Sequence, residues 1–171
     1  MNTWLISDTH FFHDKIIEYC NRPKNHTQLI AENWRKAVTE DDITIHLGDV
    51  IFKQASMLKE ILSSIPGRKI LVRGNHDNET HSWYMNHGFD FSCDQFVQGK
   101  VLFTHIPVFE LPISAHVEIN IHGHLHNAPF IKENWDLHSK PFNKLFALEV
   151  EGYKPVLLNE FIQKYETGSN W

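Results

Sequence analysis

Three short, largely apolar runs, residues 4–7, 43–47 and 69–73, each break off at a polar residue or a glycine, with amphipathic stretches between them. That punctuation belongs to buried strands that deliver side chains to the edge of a sheet. Residues 27–38 carry Leu29, Ile30, Trp34 and Val38 near helical spacing. Residues 55–65 do the same with Met57, Leu58, Ile61, Leu62 and Ile65, until Pro66-Gly67 stops the pattern. The first half therefore reads strand, helix, strand, helix, strand. After Gly88 strands follow more closely, over 89–96, 101–104, 119–122, 145–150 and 153–157. Tight hairpins are expected at Gly99 and at Glu151-Gly152, and a short helix over 160–165. This order predicts an α/β (α+β) fold with two sheets packed face to face and helices outside. No repeat, low-complexity stretch or linker interrupts the chain, so residues 1–171 are expected to form a single domain.

Charge and cysteine content narrow the classes of function. Lys and Arg total 16 against 21 Asp and Glu, a net charge of −5, which offers no general attraction to a polyanionic backbone and disfavours wrapping an extended duplex. No apolar run approaches the roughly 18 residues of a membrane span. The start, Met1-Asn2-Thr3-Trp4, lacks a basic segment followed by a long apolar one, so no membrane association and a cytoplasmic location are expected. The two cysteines, Cys20 and Cys93, have no CxxC spacing; they suit a reducing compartment and argue against a zinc ribbon. Histidine is the outlier. Its 13 copies nearly equal Lys and Arg together, and imidazole is the commonest metal ligand.

Metal-ligand residue types recur where the strands are expected to end: Asp8-Thr9-His10, Gly48-Asp49, Gly74-Asn75-His76-Asp77, Thr104-His105 and Gly123-His124-Leu125-His126. The carboxyl ends of strands in α/β sheets open onto a common crevice, so side chains distant in sequence converge there without long loops. In Asp8-x-His10, residues two apart on an extended backbone point the same way and offer a carboxylate oxygen and an imidazole nitrogen to one ion. Taken singly, each cluster is also compatible with an ordinary polar turn. In Gly74-Asn75-His76-Asp77 the glycine allows a tight exit from the strand, Asn75 offers a neutral oxygen, and His76 stands where an acid could reach a leaving group.

Their order, DxH, GD, GNHD, H and GHxH, resembles the calcineurin-like metallophosphoesterase superfamily. The stretch from Asp8-Thr9-His10-Phe11-Phe12-His13 to Cys20-Asn21-Arg22-Pro23 resembles a compact bacterial and phage branch of predicted phosphoesterases. The likeness runs from Asp8 to His126 and implies a four-layer αββα sandwich of two mixed sheets with flanking helices. It implies two divalent cations, one on Asp8, His10, Asp49 and His126, the other on Asn75, His105, His124 and the shared Asp49. Such ions, about 3.5–4 Å apart, generate a bridging hydroxide that attacks phosphorus in line. By the same resemblance His76 would protonate the leaving oxygen or stabilise charge on phosphoryl oxygens, with Asp77 as a candidate partner to fix its ring tautomer.

Departures from other branches narrow the substrate. Gly48-Asp49-Val50-Ile51-Phe52-Lys53 lacks the Asp-Arg-Gly of the protein Ser/Thr phosphatases, and Phe52 stands where purple acid phosphatases have a tyrosine ligand. The expected function is thus a dinuclear metal-dependent phosphodiesterase for a nucleotide or other small phosphodiester. Mn²⁺ is the favoured ion; Fe²⁺, Ni²⁺, Co²⁺ and Zn²⁺ are also acceptable to the donor set. A phosphomonoesterase acting on a phosphoprotein or sugar phosphate is the second reading, and a non-catalytic interaction scaffold the third. Oligomeric state is left open. His13 and Arg22 are candidate substrate contacts, Lys53, Arg68 and Arg73 are alternative phosphate binders or surface charges, and Phe11, Phe12 and Phe109 either wall the site or pack. His46 and His122 alternate with apolar strand residues and read as structural or supporting. His26, His81, His87, His116 and His138 lack motif support and are expected to be solvated or structural.

Overall fold

The computed structural model describes residues 1–112, 116–127 and 139–166. The elements are β1 (Thr3–Ile6), α1 (Asp14–Tyr19), α2 (His26–Ala37), β2 (Ile43–His46), α3 (Leu58–Ser63), β3 (Arg68–Val72), α4 (His81–Asn86), β4 (Phe91–Cys93), β5 (Phe96–Gln98), β6 (Val101–Phe103), β7 (Ile119–His122), β8 (Asn143–Leu145), β9 (Val156–Leu157) and α5 (Leu158–Glu166). They build a five-stranded sheet in the order β4-β3-β2-β1-β9 and a four-stranded sheet in the order β5-β6-β7-β8. In the first, β1 to β4 are parallel and β9 runs antiparallel to β1; in the second, β6, β7 and β8 are parallel and β5 is antiparallel to β6. Both sheets are mixed and helices flank them, the αββα sandwich expected.

One apolar core joins the sheets: Leu5, Ile6, Ile45 and Leu71 from the first with Phe103 and Ile121 from the second and Phe146 just beyond β8. The sheet strands read as short apolar runs because they are covered on both faces. On the outer face of the first sheet, α2 places the fully buried Trp34, whose Nε1 donates to Thr44 Oγ1 on β2 at 3.1 Å. At the second sheet, α5 stacks Phe161 near Phe146, with ring centroids 5.5 Å apart, and Tyr165 OH donates to Leu145 O at 3.1 Å. Among the described residues no helix is long and apolar enough to cross a membrane.

Two strand expectations and one hairpin expectation change, and the strand expected over 153–157 is reduced to Val156–Leu157. Residues 89–96 are not one strand: β4 pairs with β3 in the first sheet and β5 with β6 in the second, and the chain crosses between sheets at Asp94-Gln95. Apolar residues at both ends conceal the crossing from a periodicity argument. Residues 145–150 leave the ladder after Phe146 N donates to His122 O at 2.7 Å; Ala147 O then accepts from the amides of Val150 and Glu151 and winds the chain into a turn. Glu151-Gly152 is consequently no hairpin; it lies between β8 and β9, which belong to different sheets. At Gly99, by contrast, β5 and β6 do form a hairpin with Gln98 opposite Val101. The six-residue helices α1 and α4 have too few turns to display a hydrophobic stripe. The expectation for His138 falls outside the described residues.

Asp42 closes the end of the first sheet opposite the strand carboxyl termini. Its carboxylate accepts from Asn2 N at 2.7 Å, Thr39 N at 3.0 Å and Trp4 Nε1 at 3.2 Å. The bond from the Asn2 amide, with the other donors, outweighs burial and holds the group at about 2, below its ordinary 3.8. A carboxyl depressed in the fold stabilises it fully above its unfolded value and loses that contribution as pH falls through the folded one. The stability gap between wild type and Asp42→Asn, measured by urea unfolding, is therefore expected to be constant at neutral pH and to shrink from about pH 4 toward 2. A gap independent of pH would refute the assignment.

Candidate metal centre

The carboxyl ends of β1, β2 and β3 in one sheet and of β6 and β7 in the other meet at the same edge of the sandwich. The loops there are locked to one another by main-chain bonds: Asp8 N donates to Gly48 O at 2.9 Å, His10 N to Asp49 O at 3.0 Å, and Gly123 N to His105 O at 3.0 Å. So close an approach needs glycine. A Cβ on Gly74 would collide with the Asp49 carboxylate, and one on Gly123 with Ser7 Oγ and the Asp8 carboxylate. Asp8, His10, Asp49, His124 and His126 all have φ between 44° and 73°, the left-handed region, which costs a non-glycine residue roughly 1–2 kcal/mol.

Held this way, the side chains form two adjoining groups. Asp8, His10 and His126 make one, with His10 Nε2 3.9 Å and His126 Nε2 3.7 Å from Asp8 Oδ1. Asp49, His105 and His124 make the other. There His105 Nε2 lies 3.4 Å from Asp49 Oδ2, 3.2 Å from His124 Nδ1 and 2.9 Å from Asn75 Oδ1. Asp49 Oδ2 is also 3.5 Å from His10 Nε2, so this carboxylate stands between the groups. Its other oxygen accepts from His76 N at 2.9 Å. His105 is oriented by donating from Nδ1 to Leu47 O at 2.6 Å, which leaves Nε2 for the cluster.

Electrostatics follow from packing buried carboxylates among imidazoles. Burial alone would raise Asp49, but His105 and His10 hold it well below the usual carboxylate range. Burial opposes charge on His105 and His126; Asp49 and Asp8 nevertheless push His105 up to about 9, and Asp8, Cys20 and Glu149 push His126 up to about 11. His10, deeply buried, drops to about 2. Its Nε2 is enclosed and has no hydrogen-bond partner in the protein. A buried nitrogen facing two carboxylates without a donor between them matches what a cation-binding site requires.

His76 is exposed at the rim, its ring 5.8 Å from that of His10 and 6.0 Å from that of Phe52. His13 is buried behind it, with Nδ1 3.4 Å from His10 Nδ1 and its ring stacked on Phe52 at 3.8 Å. Phe52, about half exposed, is the aromatic wall; Phe11 is fully buried and Phe109 is exposed. His26 is buried, with Nε2 3.3 Å from His10 O.

Two expected roles are reassigned. The Asp77 carboxylate does not orient His76: it accepts from Asp49 N at 2.8 Å, Val50 N at 3.0 Å and Gly74 N at 2.8 Å, and so ties two motif loops together. Arg22, expected as a substrate contact, is buried and turned toward protein groups. It lies beneath the cluster and donates to Asp8 O at 2.7 Å, Thr9 O at 3.1 Å and Glu149 Oε1 at 2.7 Å. Lys53 pairs with Asp14, Arg73 with Asp94, and Arg68 lies near Met1. Glu149 is the polar group near the cluster that motif reading missed, since a single glutamate in an expected strand carries no signal.

A family model described as the calcineurin-like phosphoesterase superfamily domain matches residues 1–141. An uncharacterized protein of Methanocaldococcus jannaschii is 33% identical over 171 residues, covering 96% of this chain and 92% of the relative. The gene 66 protein of Mycobacterium phage L5 is 36% identical over 84 residues, 44% of this chain and 40% of its own length. A crystal structure of a protein of unknown function from Aquifex aeolicus is similar with a TM-score of 0.73 at 27% identity, over 95% of this chain and 98% of that one.

Removing the Asp77 carboxylate leaves buried amides without acceptors, at about 1–3 kcal/mol for each that water does not reach. Asp77→Ala is expected to lose on the order of 3 kcal/mol in urea unfolding, whereas His76→Ala, at the rim, should change stability little. Equal stability of Asp77→Ala and wild type would show that the clamp is not needed.

Proposed function

The chain belongs to the calcineurin-like phosphoesterase superfamily, and from that premise we propose that it is a dinuclear metal-dependent phosphodiesterase, using Mn²⁺, for nucleotides or other small phosphodiesters. The observation that carries this reading is the pair of donor groups flanking Asp49, with the enclosed, unpartnered Nε2 of His10 between the two carboxylates. Asp8, His10 and His126 would hold one cation, and Asn75, His105 and His124 the other, with Asp49 shared. When bound, such a pair supplies Lewis-acid polarisation of phosphoryl oxygens and activation of water for in-line attack.

The protein's own groups do the rest. Asp8 and Asp49 supply the negative charge that the cations require, and the left-handed loops keep both carboxylates aimed at the crevice before substrate arrives, so little reorganisation is needed. His76, exposed beside His10, is placed to hold a proton on its imidazole for the departing oxygen. Phe52, braced flat on His13 and edge-on to His76, gives a planar leaving group a surface to lie against. The diester preference rests on charge. Arg22, Lys53 and Arg73, which lie in or beside the motif segments, are engaged by Glu149, Asp14 and Asp94, which suits a monoanionic diester better than a dianionic monoester.

Protein stripped of metal and reloaded with Mn²⁺ is expected to hydrolyse bis(p-nitrophenyl) phosphate faster than p-nitrophenyl phosphate. No turnover with Mn²⁺, Ni²⁺, Co²⁺ or Fe²⁺ would overturn the proposal, and a faster monoester would move the substrate class. Asp49→Asn should lose most activity and metal content while keeping its circular dichroism. His76→Ala should lower kcat by roughly 10²-fold or more while retaining metal; metal loss without a kcat effect in the residual loaded fraction would make His76 structural.

A further inference from the structure

Glu149 lies outside the residues that the family model matches, on the turn that takes the chain away from β8. Its Oε1 accepts from Arg22 Nε at 2.9 Å and Nη2 at 2.7 Å and lies 3.0 Å from His126 Nδ1. The two charged side chains are almost wholly inaccessible, 0% for Arg22 and 3% for Glu149. Burying an ion pair is weak grounds for stability, because desolvation cancels much of the attraction. Its position beneath a cluster of candidate ligands points to another role.

The geometry supplies one. An ionised carboxylate only accepts, so at 3.0 Å it requires the hydrogen on His126 Nδ1 and leaves Nε2, 3.7 Å from Asp8 Oδ1, as the nitrogen that can give up its proton to a cation. Arg22 keeps Glu149 in place and, through Asp8 O and Thr9 O, also grips the loop that presents Asp8 and His10. All three members of one donor group are thereby tied to a single buried pair. Cys20, His126 and Glu149 themselves have metal-ligand spacing. A cation among them would face the Arg22 guanidinium, 2.7 Å from Glu149 Oε1 and 3.4 Å from His126 Nδ1. The other donor group is anchored differently, since His105 Nδ1 donates to the main-chain oxygen of Leu47.

We propose that Glu149, held by Arg22, is a positioning residue that selects the His126 tautomer and sets the cation affinity of the Asp8–His10–His126 half of the centre, leaving the Asp49–Asn75–His105–His124 half unaffected. This rests on the metal-dependent reading above. The tests use the full-length chain, stripped of metal. Calorimetric titration of wild type with Mn²⁺ should show two binding steps. In Glu149→Gln, whose amide can donate as well as accept, one step should weaken about 10–100-fold and the other stay unchanged. Glu149→Asp, which keeps an acceptor-only carboxylate, should recover part of the loss. In ¹⁵N-labelled wild type loaded with ¹¹³Cd²⁺, the metal should couple to Nε2 of His126 while Nδ1 retains its proton. That measurement decides the matter even should the variants fail to fold. Equal weakening of both steps, no weakening in Glu149→Gln, or coupling of Cd²⁺ to Nδ1 would overturn the assignment while leaving the metal-dependent reading intact. A wild type that takes up no cation would remove both.

Discussion

The Asp49 carboxylate ties the two halves of the centre to each other. One oxygen faces His10 from the first sheet and His105 from the second, while the other is fixed by the amide of His76. The residue cannot drift, because Asp77 holds its main-chain nitrogen and His10 N occupies its carbonyl. Those bonds run between loops that start on different strands. The register of β1, β2 and β3 is therefore transmitted directly to the spacing of the donor atoms.

Such an arrangement works against stability. Carboxylates buried among imidazoles incur desolvation, and five candidate ligands adopt a backbone conformation that L-residues avoid. The surrounding structure offsets this in two ways. A shared apolar core binds the sheets, from Leu5 and Ile45 to Phe103 and Phe146. Polar clamps with several partners each hold the loops: Asp77 on three amides, Arg22 on two carbonyls and a carboxylate. These clamps account for residues that a motif reading assigns to substrate or to proton transfer. A charged side chain within a motif can serve the loop's backbone as readily as the reaction.

Much of the arrangement was legible beforehand. Short apolar runs ending in Gly or Asp announce parallel strands, and parallel strands place their following residues at one edge, so Asp8, Asp49, Asn75, His105 and His124 could be gathered on paper. Why Gly74 and Gly123 must be glycine was not, since the groups a side chain would strike belong to Asp49 and to Ser7 and Asp8 on other loops. The passage of residues 89–96 from one sheet to the other was not, because alternation is the same whichever sheet a strand joins.

The amino-acid order by itself determined the helices and parallel strands of the first half and the donor types at their ends, because each depends on periodicity and on local backbone preference. Tertiary structure alone decided where the charged side chains point. Glu149 meets Arg22 across 127 positions, and Asp77 turns from His76 toward the amides of Asp49 and Val50. Side-chain direction in a buried loop follows from which hydrogen-bonding groups are left unpaired nearby, and those groups come from other strands, brought close only once the two sheets have packed.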